Sequence, residues 1–180
     1  MITTFLKALA ATLLITAPAL AGQYGFKGVN LGSHIGQIAN NPKYDCKAVT
    51  TPTADRVCGL RKDEVETIVG VPVASVFYFY DRALLTGIRI GLEEKHFQNV
   101  IAALSEKYGA AALVKAPLKN LKGQAFENHT YTWRAQSETI VAERYSGRLD
   151  RSSLHIGEDN AAQRIRQQRD ALAREPRKDL

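Results

Sequence analysis

Cysteine is scarce in this chain: 180 residues contain two, Cys46 and Cys58, besides one methionine and one tryptophan. Two thiols with only distant histidines fall short of the ligand set of a zinc site, and their spacing lacks the two-residue interval of dithiol redox enzymes. Long hydrophobic runs are missing as well. The apolar stretch Ala8 to Ala17 is well below the roughly 20 residues that span a bilayer. No glycine-rich phosphate loop occurs either. Four histidines, His34, His96, His129 and His155, lie in different elements, none with a second ligand type at the i+2, i+3 or i+4 spacing of a preformed metal site. Neither a metal nor a cofactor is therefore expected.

The first 21 residues read as a secretory signal. Lys7 supplies the charged n-region, Ala8 to Ala17 the apolar h-region, and Ala19-Leu20-Ala21 the small residues that signal peptidase requires. Cleavage is expected after Ala21, and no cysteine follows to accept a lipid. The expectation is a periplasmic or secreted protein, organised as signal peptide 1–21, one domain 22–158 and a basic tail 159–180. Setting aside 21 of the 180 residues leaves 159, enough for one sizeable core. In an exported chain Cys46 and Cys58 most simply form a disulfide, worth about 3 kcal/mol by loop entropy. The formal charge of +6 includes Lys7, so the exported part is mildly basic and favours acidic partners or an anionic surface.

Periodicity supplies the elements. Ser33 is a plausible N-cap for a short helix carrying Ile35 and Ile38, and Asn41 to Arg61, rich in Pro, Thr and Asp, reads as an irregular loop stapled by the disulfide. Glu64 to Val69, Val73 to Tyr80 and Leu84 to Leu92 alternate as strands. In the second, Phe77 and Phe79 share one face and Tyr78 and Tyr80 the other; in the third, Gly87, Arg89 and Gly91 make a thin face open to an aromatic ring. Glu93 to Tyr108 carries Phe97, Val100, Ile101, Leu104 and Tyr108 at helical spacing, ending at Gly109. Ala125 to Arg134, Thr139 to Tyr145 and Ser152 to Ile156 form a second group of strands, with Trp133 turned to the core helix. The predicted class is α+β: an antiparallel sheet packed on one main amphipathic helix, in helix–strands–helix–strands order, with a polar C-terminal helix. The two halves are alike enough to suggest an ancient duplication.

Phe26-Lys27-Gly28-Val29-Asn30-Leu31-Gly32, the two cysteines, Val69-Gly70-Val71-Pro72-Val73, Leu104-Ser105-Glu106-Lys107-Tyr108-Gly109, Thr132-Trp133 and Lys178-Asp179-Leu180 together resemble a group of small exported proteobacterial proteins of uncharacterised function. The resemblance implies positions of fold and no catalytic residues. In element order the chain is also similar to the helix-plus-sheet units of the β-lactamase inhibitory protein and of the small lipoprotein subunit of the outer-membrane assembly machine, a likeness of fold alone.

No catalytic constellation stands out. Ser152, Ser153, His155 and Asp150 are close in sequence, but strand neighbours alternate between faces. Glu93 and Glu94 diverge by about 100 degrees on a helix. Two surfaces are candidate binding sites: Tyr78 and Tyr80 with Arg89, which combine rigid aromatics and an arginine as interface hot spots do, and the tail with Arg164, Arg166 and Arg169. The expected function is an exported accessory or inhibitor-like module that binds an envelope protein without catalysis. The alternatives are a small periplasmic hydrolase with a dispersed site and a peripheral binder of anionic membrane or lipopolysaccharide. Nucleic acid is not expected as a partner, since the tail has no interleaved aromatics.

Overall fold

A computed structural model describes residues 24–119 and 123–174, except for the side chains at 162, 169 and 171–174. The expected signal peptide 1–21 lies outside these residues. A small hairpin, β1 (Gly25–Phe26) and β2 (Val29–Asn30), leads to α1 (Gly36–Ala39), a single turn. Two long strands follow, β3 (Tyr44–Thr51) and β4 (Ala54–Leu60), then a short hairpin of β5 (Thr67–Ile68) and β6 (Val71–Pro72). Next come β7 (Ser75–Asp81), β8 (Leu84–Glu93) and, after one 3₁₀ turn, α2 (Phe97–Tyr108). The chain ends with β9 (Ala112–Lys119), β10 (Ala125–Ala135), β11 (Glu138–Glu143), β12 (Arg151–Glu158) and α3 (Ala161–Arg174).

The expected α+β class is overturned. Among the described residues strand outweighs helix by more than two to one, so the protein is mostly β. Its centre is one eight-stranded antiparallel sheet in the order β3-β4-β7-β8-β12-β11-β10-β9. Two of the missed strands lie in the stretch read as an irregular loop: β3 and β4 pair across the turn at Pro52-Thr53, and Cys46 stands directly opposite Cys58. The disulfide is present and joins neighbouring strands. A third, β9, was missed because its eight residues are all exposed, so burial imposes no alternation on them. The chain also opens on a hairpin and α1 is one turn, so the helix–strands–helix–strands order is not kept. Ile35, not Ser33, occupies the N-cap position of α1 and makes no side-chain cap bond; His34 Nδ1 accepts from the Gly36 N–H at 3.1 Å.

Only one sheet face carries the main core. Register aligns Tyr78 with Ile88, Ile88 with Ile156, and Ile156 with Ile140, a buried row running across four strands. Phe97, Val100, Ile101 and Leu104 of α2 pack into the same core as this row, together with Tyr24, Phe26, Val29 and Leu31 from the N-terminal segment. Trp133 is buried there and donates from Nε1 to the Gly109 carbonyl at 2.8 Å, tying β10 to the end of α2. The β5–β6 turn holds Val69 at φ +51 and Gly70 at φ +75. A β-branched residue in that region is strained by about 1–3 kcal/mol.

Candidate outer-face binding site

The other sheet face is assembled from the alternate residues. Gly59 on β4 stands opposite Phe77 on β7, Phe77 opposite Arg89 on β8, and Arg89 opposite His155 on β12. The next row places Phe79 beside Gly87 and Gly87 beside Gly157. Glycines therefore make a low floor from which the two phenylalanines, the guanidinium and the imidazole rise. The His155 ring lies over Gly157, where an added Cβ would come within 2.9 Å of Nε2. Phe77 covers Gly59 in the same way and remains 38% exposed. A groove of about 480 Å³ runs between Phe79, Arg89, His155 and Thr86, bounded by Thr51 and Thr53 of the β3–β4 turn and by the start of α3.

The electrostatics of this groove centre on Arg89. It is exposed, and its guanidinium has neither hydrogen bond nor ion pair among the described residues. The carboxylate that lines the groove is committed elsewhere: Glu158 pairs with Arg164. His155 keeps an exposed edge, but the packing of its ring on the sheet and, second, the charge of Arg89 push its pKa below the usual imidazole value. A neutral ring beside an unpaired guanidinium offers donors for a carboxylate, with Phe77 and Phe79 alongside.

The structure separates the residues expected to act together. Tyr78 and Tyr80 are fully buried at 0% exposure on the core face, while Arg89 stands on the opposite face. They form no common surface. The reason is register: Arg89 aligns with Phe77, and Tyr78 aligns with Ile88. Both tyrosines have raised pKa values, chiefly through burial and then through neighbouring tyrosine charge, including that of Tyr44, whose ring meets Tyr78 edge-on at 5.5 Å. Of the tail arginines, Arg164 pairs with Glu158, Arg166 is exposed, and the Arg169 side chain lies outside the described residues. α3 is anchored by Ile165, at 0% exposure, and by Gln168, which accepts from Arg82.

The Asp150, Ser152, Ser153 and His155 group does not converge. Ser152 is buried and donates to the Arg144 carbonyl at 2.6 Å, Asp150 binds Arg148 at 2.8 Å, and no hydrogen bond joins Ser153 to His155 among the described residues. No group of three metal-ligating side chains occurs among the described residues either. Phe77, Phe79 and His155 were missed by sequence reasoning. The thin face at Gly87, Arg89 and Gly91 was the legible signal, but which rings fill it depends on cross-strand pairing. No protein family, no curated protein and no solved structure matches this chain.

Proposed function

We propose that this is an exported accessory or inhibitor-like protein that binds an acidic segment of an envelope protein through its outer sheet face, without catalysis. The observation that carries this reading is Arg89, an unpaired guanidinium between Phe77 and His155 on a glycine floor. Arginine flanked by aromatic rings is the composition of interface hot spots. Lys47, on the same face beyond Val57, adds a second positive charge without an ion pair among the described residues. Export is supported by the sequence of residues 1–21 and by the disulfide, which persists in oxidising compartments.

A photoreactive residue at position 77, compared with one at exposed position 102 on α2, tests the interface in the periplasm. Cross-links to one acidic protein from position 77 alone, lost on Arg89→Ala, are expected. Equal capture from both positions, or capture unaffected by Arg89→Ala, would remove this face from consideration.

A further inference from the structure

A second cleft lies on the core side, far in character from the outer face. It opens between the β1 turn, the β5–β6 turn and α2, and encloses about 240 Å³. Ile140, Leu154 and Ile156 of the sheet lie beneath it, sealed at 0–2% exposure, so the accessible apolar lining is Ile68, Val69, Ala103 and the Tyr108 ring. Leu104 and Ala103 of α2 form one wall. The volume is below the roughly 300–1,000 Å³ of sites for drug-sized molecules, which suits one short unbranched chain rather than a ring system or a diacyl lipid.

Charge is found at the mouth. Lys27 pairs with the Glu66 carboxylate at 3.6 Å, which Lys43 also approaches at 3.8 Å. Lys107 has no ion pair among the described residues; its ammonium sits 4.9 Å above the Tyr108 ring. Beside them Val69 holds its side chain 57% exposed from a left-handed backbone position. Strained backbone of this kind concentrates at ligand clamps. A valine there gives up backbone comfort while keeping an apolar group at the edge of an apolar cleft.

We infer that this cleft binds a single short aliphatic acid, its chain between Ile68, Val69 and Ala103 and its carboxylate on Lys107. The site is independent of the outer-face reading and involves none of its residues.

Calorimetric titration of the full exported chain with octanoate, octanol and propionate tests it. Saturable one-to-one binding of octanoate is expected, with loss of about fourfold per methylene removed toward propionate. Octanol should bind about tenfold more weakly than octanoate, for want of the charge-assisted contact. Lys107→Met should bring octanoate down to the octanol level and leave octanol unchanged, whereas Ala103→Phe should abolish both. Amide chemical-shift mapping of the unmutated protein with octanoate keeps the test free of folding effects. Shifts clustered at residues 69, 103 and 107 support the site; shifts elsewhere, no saturable octanoate binding, or indifference to Lys107→Met would overturn it.

Discussion

Tyr80 shows how an isolated polar atom bears on stability. Its ring is wholly buried and its hydroxyl has no hydrogen-bond partner among the described residues. An unsatisfied buried hydroxyl costs about 1–3 kcal/mol. Tyr80→Phe should therefore stabilise the protein by an amount of that order, read as a higher urea midpoint at unchanged slope; a lower midpoint would mean the hydroxyl is bonded. His155 carries a different test. Its folded pKa lies below the 6.5 of a free imidazole, first through burial and second through Arg89. Below pH 6.5 the unfolded chain takes up a proton that the folded ring resists, so stability from this group is full above that pH and is lost as pH falls through the depressed folded value. In an NMR titration, Arg89→Met should move the His155 midpoint upward while leaving it below 6.5, since the burial effect persists. An unmoved midpoint would place the guanidinium away from the ring.

At the scale of elements, the disulfide is the clearest case. It joins directly opposed residues of β3 and β4, and β3 is an edge strand of the sheet. Its sequence separation of 12 corresponds to about 3 kcal/mol of loop entropy. Cys46→Ser with Cys58→Ser should lower stability by about that amount in urea unfolding, and more if the buried position 58 leaves its hydroxyl unpaired. These strands also show why the sequence misled. Turn-forming Pro52 and Asp55 and scattered threonines imitate a loop, while pairing with β7 supplies what makes the segment a strand. The α2 helix was legible because its apolar stripe repeats over three turns, and that stripe is the one buried. β9 had no such signal: an exposed edge strand is specified by hydrogen bonds to β10 and not by hydrophobic alternation.

For the whole molecule, the sheet consists of two four-stranded meanders, β3-β4-β7-β8 and β9-β10-β11-β12, joined edge to edge through β8 and β12. The suggestion of duplication is not supported by its aromatic landmarks. Tyr78 to Tyr80 lie in the third strand of the first meander and Tyr131 to Trp133 in the second strand of the other. Export of the chain would link residues 1–21 to the disulfide. If residues 1–21 direct export, protein recovered from the periplasm begins at Gly22 with no free thiol, and deleting 1–21 yields a cytoplasmic form with two free thiols and lower thermal stability. N-terminal sequencing and thiol titration check this; an intact Met1 terminus in the periplasm would refute cleavage.

The sequence by itself determined the α2 stripe, the alternation of β7 and β8, the pairing of the only two cysteines, and the thin glycine face around Arg89. Each follows from local periodicity or from a count, which needs no knowledge of distant neighbours. Tertiary structure alone decided that the phenylalanines and not the tyrosines share that face, that a Pro- and Thr-rich segment is a hairpin, and that strands outweigh helices. Those outcomes depend on which residue stands opposite which across a sheet, and cross-strand register is set by contacts between segments far apart in the chain.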